Sequence, residues 1–275
     1  MNPFLITLAV FFCSLGGIWL GAFIRDKLPE HHLSEDSKDI VKLSTGLIAT
    51  LTALVLGLLV ASAKDSFQSF NDGLQRIGAD VITLDRVLAG YGPEAQEARN
   101  LLRRHLLTIL MSNWPEDKPK LNKHTIPAEL ANIPLNLAQP FSLGMVVGSR
   151  STTIMSSLQD MLLGLTPKDN AQRWRQARAL DISAKMAEDR WRLFEQTDST
   201  LPAPFLVVLV IWLVILFVTF SLFAPRNKTV VTLLLLCALS VSGAVFLMLE
   251  LNKPIGGTMK ASSLPLLKAL ELLGK

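Results

Sequence analysis

Charge is what this chain is short of: Asp, Glu, Lys and Arg supply 18% of its 275 residues, against about a quarter in an ordinary soluble domain. The deficit gathers in long uncharged runs towards the two ends. That distribution excludes an evenly hydrophobic globule and points to a membrane protein with a soluble insert. Basic stripes with interleaved aromatics are missing, and a net charge of +4 scattered among carboxylates argues against a nucleic-acid partner. The two cysteines, Cys13 and Cys237, lie inside apolar runs and behave as small hydrophobes. No glycine-rich phosphate loop, nucleophile–base pair or paired-cysteine site can be assembled, so no enzyme, cofactor or metal centre is expected. Strand patterning is absent as well, which leaves an all-α fold.

What is present is apolar length. A spanning helix needs about 20 mostly apolar residues, and four segments qualify: Phe4 to Ile24, Leu43 to Ala63, Phe205 to Ala224, and Val230 to Leu251. Only Met1-Asn2 precede Pro3, and no small-residue cleavage site follows the first run, so it reads as a retained span. Pro225-Arg226-Asn227-Lys228 joins the last two as a tight antiparallel helical hairpin. Four spans place both termini and the segment between spans two and three on one side. The short loops carry Arg25, Lys27, Lys38, Lys42, Arg226 and Lys228. The opposite face carries Lys64, Arg76, Lys185, Arg190, Arg192, Lys253, Lys260, Lys268 and Lys275, an excess that favours a cytoplasmic location for the insert. The expected protein is therefore a multi-pass membrane protein.

The division expected is 1–63 for the first two spans, 64–200 for a helical cytosolic domain, 201–251 for the last two spans, and 252–275 for a turn and tail. After the second span, Phe67, Phe70, Leu74, Ile77, Val81, Leu84, Leu88 and Tyr91 repeat in alternating steps of four and three, a coiled-coil-like seam. No breaker follows Lys64, so the span is predicted to continue as one helix until Gly90, Gly92 and Pro93 stop it. A second helix to about Trp114 turns Leu101, Leu102, Leu106, Ile109 and Leu110 inward and Arg99, Arg103 and Arg104 outward, with His105 on its surface or seam. Residues 115–149, rich in proline, read as an irregular connection. A helix follows over Ser151 to Leu165. The next, announced by Thr166-Pro167-Lys168-Asp169 with Thr166 as cap, shows Trp174, Ala177, Leu180, Ala184, Ala187, Trp191 and Phe194 on one face. From Ser262 on, Leu264, Leu267, Leu270 and Leu273 make a short amphipathic tail suited to a membrane surface.

Candidate functional residues fall into three groups. In the second span Gly46, Thr50, Ala53, Gly57 and Ala61 recur in helical steps. Such a stripe serves close helix packing in lipid or lines a pore, in which case Leu47, Leu54 and Leu58 supply an apolar constriction. Glu30, His31, His32, Glu35, Asp36 and Asp39 cluster in the first loop, but adjacent histidines diverge and no ligand spacing is present, so a solvated loop with Ser34 as a cap is expected. The fourth span ends in Glu250, Asn252, Pro254 and Gly256. At about 1.5 Å per residue Glu250 reaches the edge of a ~30 Å hydrocarbon layer, so it marks a boundary rather than a mid-membrane catalytic carboxylate.

Four blocks carry a family resemblance: LGLLVASAKDSF, LDRVLAGYGPEAQEAR, PFLVVLVIWLVILFVTFSLFAPRN and FLMLELNKPIGG. Together they resemble a bacterial family of bestrophin-like membrane proteins, more distantly similar to bestrophin anion channels. The resemblance implies four spans with a helical cytosolic part between the second and third. It also implies a homo-oligomer, a pentamer by analogy, in which second spans surround an anion path through the lipid bilayer. Three departures limit it. Glu250 is followed by Pro254-Ile255-Gly256 rather than a Pro-Phe-Gly turn, and Thr258, Met259 and Lys260 replace the acidic run that helps bestrophins hold calcium. The second span also has no phenylalanine for an aromatic neck. The turn is expected to dock on the helical domain, with Glu250 paired to a cation such as Arg190, Arg192 or Lys64. The alternative function is a non-conducting scaffold or sensor that signals through its cytosolic helices.

Overall fold

The computed structural model of the protein describes residues 2–27, 35–120, 149–198, 203–225 and 227–274. In chain order its helices are α1 (Pro3–Lys27), α2 (Glu35–Tyr91), α3 (Gln96–Asn113), α4 (Ser149–Leu163), α5 (Asn170–Asp198), α6 (Ala203–Phe223), α7 (Lys228–Leu251) and α8 (Leu264–Leu272). Short 3-10 turns occupy Pro93–Ala95 and Pro115–Lys120, and no strand occurs among the described residues. The chain separates into two compact units, Met1–Phe67 with Thr200–Lys253, and Gln68–Ser199 with Pro254–Lys275. Of the helices, α1, α2, α6 and α7 are long and apolar enough to cross a membrane.

In the first unit α1 lies against both α6 and α7. Val10, Ser14, Gly17 and Gly21 are its buried stripe, spaced so that all four share one helical face. A Cβ on Gly17 would sit 3.0 Å from the Val214 carbonyl oxygen, and one on Gly21 only 2.3 Å from that of Val218. Backbones come this close only where side chains are missing. The contact is finished by hydrogen bonds: Ser221 Oγ donates to the Ile18 carbonyl at 2.6 Å, and Arg25 donates to that of Ala224. Val10, Ala63, Leu209, Leu213, Val245 and Met248 form the core of this unit.

The second unit is built on the distal half of α2. Phe70, Leu74, Val81, Leu84, Leu88 and Tyr91 are buried there together with Leu102, Leu106 and Leu110 of α3, so the seam read from the sequence is closed within one chain. Gly92 stops α2 at a φ of 129° that a side chain would resist, and Pro93 opens the next turn. Arg99 does not face outward. It grips the buried Asp85 with two hydrogen bonds of 2.7 and 2.9 Å, and that pairing holds its guanidinium pKa above the usual value.

Two further details of this unit depart from the sequence reading. Helix α5 is capped by Asp169, not Thr166: the Asp169 carboxylate accepts the Gln172 N–H at 2.6 Å while Gln172 Oε1 accepts that of Lys168 at 2.8 Å. Its inward face is Ala179, Ile182, Ser183, Met186 and Leu193, whereas Trp174 and Trp191 are 65% and 51% exposed. Large apolar side chains suggested the wrong face because small and polar residues fit the crowded one. The side chain of Phe194 lies outside the described residues, as does the connection over 121–148.

The tail forms α8 as an amphipathic helix, with Leu266, Ala269 and Leu270 buried in the core of the second unit. Of the apolar face read from the sequence, Leu270 and Leu273 are buried in that core and Leu267 packs against it, while Leu264 is exposed. A Cβ on Gly78 of α2 would lie 3.0 Å from the Pro265 carbonyl oxygen, and the Gly274 N–H reaches Asp85 Oδ2 at 3.1 Å.

Candidate functional site

Within the first unit α2 has two contrasting sides. Thr45, Thr52 and Ala63 are buried, with Leu56, Leu59 and Val60 half-buried against the core. Gly46, Thr50, Ala53, Gly57 and Ala61 lie on the opposite, exposed side, flanked by the exposed Leu47, Leu54 and Leu58. A Cβ on Gly46 or Gly57 would meet nothing within 4 Å. Within this unit the close helix approach that glycines permit is made by Gly17 and Gly21 of α1. Sequence reading passed over that pair, although the spacing of Ser14, Gly17 and Gly21 carries the signal.

The exposed face of α2 is chemically quiet. Between Lys42 and Lys64 it holds no charge, and the Thr50 hydroxyl donates to the Gly46 carbonyl at 2.8 Å, so its proton is committed to its own helix. Before this face begins, Lys42 pairs with Asp39 at 3.1 Å. The rest of the loop cluster weighed as metal ligands, Glu30, His31 and His32 with the side chains of Glu35 and Asp36, lies outside the described residues.

Glu250 closes α7 and is 3% exposed. The Asn252 N–H bonds to the Met248 carbonyl at 3.3 Å, and the Lys253 N–H to that of Glu250 at 3.0 Å, so the helix end is tied off by its own backbone. Among the cations expected near Glu250, Arg192 donates to Glu188 at 2.6 Å. In the second unit Pro254 and Ile255 are buried, and Gly256 turns the chain at a φ of 89°. The Ala261 N–H then bonds back to the Pro254 carbonyl at 2.8 Å. Trp114 Nε1 donates to the Ala261 carbonyl at 2.8 Å, Lys260 Nζ to Glu116 at 2.8 Å, and Ser263 Oγ to Asp117. None of the last three pairings was legible from spacing, because well over a hundred residues separate the partners.

A small cavity of about 40 Å³ lies in the second unit, walled by α2, α3, α5 and α8 and lined by His105 and Arg190 among leucines and isoleucines. His105 is 7% exposed, and its Nδ1 has no hydrogen-bond partner among the described residues. Burial, with the Arg190 charge beside it, pushes its pKa down to about 4. His105 thus stands as a neutral imidazole in an apolar wall, beside the Arg190 guanidinium.

A family model for the bestrophin-like domain matches residues 12–266. The chain belongs to the bestrophin-like family. A crystal structure of a bacterial bestrophin homologue from Klebsiella pneumoniae, carrying a single substitution, superposes on it with a TM-score of 0.58. The two chains cover each other completely at 14% identity. A search of the curated proteins returns no match. This bestrophin-like chain therefore shares the helical fold of that homologue, with four apolar helices of membrane-spanning length.

Proposed function

We propose that the protein is an oligomeric channel or transport-type protein of a bacterial inner membrane. In this reading second spans surround a central path, and small inorganic anions are the permeant. The observation that carries it is the exposed side of α2, where a Cβ on Gly46 or Gly57 would meet nothing within 4 Å among the described residues. An apolar helix face without partners in its own subunit is satisfied either by lipid or by further copies of the chain. Small and hydroxyl-bearing residues at Gly46, Thr50, Ala53, Gly57 and Ala61 suit a narrow lumen better than a lipid contact. Leu47, Leu54 and Leu58 beside them serve as a constriction that opens by wetting. Five subunits follow by analogy with the bestrophins, and the residues from 64 to 200 face the cytoplasm with both termini. Glu250, Asn252, Pro254 and Gly256 act as a boundary post that fixes the end of the fourth span rather than as a selectivity element.

The test is flux. Purified protein in liposomes is expected to pass chloride, and Gly57→Leu or Ala53→Trp is expected to lower the rate at least tenfold, because each fills the path with side chain. Unchanged flux in both variants removes α2 from the path, and wild-type vesicles that pass no anion overturn the channel reading. A second reading, a non-conducting scaffold or sensor, is favoured by the exposure of Trp174 and Trp191 on α5. Exposed tryptophans of this kind are common anchors for a protein partner. A silent vesicle assay combined with a partner lost in Trp174→Ala would select it.

A further inference from the structure

A cleft of about 420 Å³ opens at one end of the first unit, between the last turns of α1 and the junction of α6 with α7. Leu15, Ile18, Ala22, Val231, Leu234 and Leu235 give it apolar walls, and Arg25 and Asp26 stand at its mouth. From Leu15 to Asp26 the helix rises on the order of 16 Å, about half of a ~30 Å hydrocarbon layer. The cleft is therefore one leaflet deep. Its walls belong to helices of spanning length, so the material that reaches it is hydrocarbon chain, and an apolar slot gives water no hydrogen-bonding partner.

The mouth is basic. Arg25 is half-buried, held in place by its bond to the Ala224 carbonyl. Lys27 Nζ lies 4.4 Å from the centroid of Phe23, whose ring stacks on Trp19 at 5.6 Å. An aromatic pair ending in a cation is the arrangement that anchors helices at headgroup level. On the other side Lys228 opens α7 and no side chain caps that helix; the Val230 and Val231 N–H groups bond to the Asn227 carbonyl, which leaves those of Lys228 and Thr229 to face an anion. Of the residues that line the cleft, Arg25 and Asp26 carry opposite charges, and Lys27 and Lys228, their neighbours in α1 and α7, leave the described residues around the mouth net positive.

We propose that this cleft binds a phospholipid of net negative charge. One acyl chain lies between α1 and α7, and the phosphate is held by Arg25, Lys27 and the N-terminus of α7. The site is independent of whether the protein conducts, because it uses the outer end of α1, α6 and α7 and no residue of α2.

The test uses the full chain, purified in detergent and stripped of lipid, with thermal melting as the readout. Dioleoylphosphatidylglycerol is expected to raise the midpoint, while dioleoylphosphatidylcholine and inorganic phosphate leave it unchanged. Lys27→Gln removes one charge near a headgroup and is expected to weaken the response about fivefold in lipid concentration. Ala22→Trp fills the slot and abolishes the response; its melting without lipid shows whether it has folded, and Lys27→Gln decides the matter if it has not. Equal shifts with the two lipids overturn the charge selection. A shift with inorganic phosphate alone makes this a free-anion site, and a wild-type response in folded Ala22→Trp removes the cleft from the site.

Discussion

His105 shows how a single buried side chain can make the fold of this protein sensitive to acid. Its folded pKa is depressed from 6.5 to about 4 by burial and by Arg190. Above the unfolded value, folded and unfolded chains both carry neutral imidazole and stability does not depend on this group. As pH falls from about 6.5 towards about 4, the unfolded chain binds a proton that the folded one refuses. Up to ~3 kcal/mol of stability is lost across that window. Denaturant melts of His105→Leu are expected to lack this slope while the wild type shows it; parallel slopes would mean that other groups set the acid response. Among charged pairs, Asp85–Arg99 is the contrast to Lys168–Glu94, whose side chains are 73% and 39% exposed and salt-screened.

At the level of elements, the decisive contact is between α1 and α6, where two helices meet almost backbone to backbone. Gly21→Val would place carbon 2.3 Å from the Val218 carbonyl oxygen, a backbone atom that cannot swing aside. We expect a loss of about 3 kcal/mol or more and a broadened elution profile in detergent. A normal profile with an unchanged melting midpoint would contradict the packing. The same alteration at Gly46 meets open space within the chain and is expected to leave the isolated subunit's fold intact. Long elements were readable in the sequence because their punctuation is local: Gly92 and Pro93 end α2 where a helix must end. The inward side of α5 was not, since Ala179 and Ser183 are buried there and carry almost no hydrophobic signal. The small-residue stripe of α2 was visible as a pattern, but a single chain does not spell out what lies against it.

For the whole molecule, the fold class and the four long apolar runs follow from composition and period, whereas the ties that close each unit join residues far apart. Asp85 reaches both Arg99 and the Gly274 N–H. Trp114 holds Ala261, 147 residues away, and no local pattern announces that meeting. The α1–α6 contact has the same character, and it has a consequence for biosynthesis. Ser221, which completes it, lies 203 residues beyond Ile18. A ribosome adding about 5–20 residues each second needs about 10–40 s to cover that distance. Throughout that interval the glycine groove of α1 waits in the bilayer without its mate. A chain halted after residue 199 is expected to keep that groove open and to be cleared faster than the full chain in a pulse–chase. Equal lifetimes would show that the early helices need no later partner. Quality control of this protein thus begins with a surface that stays unfinished until the final third of translation.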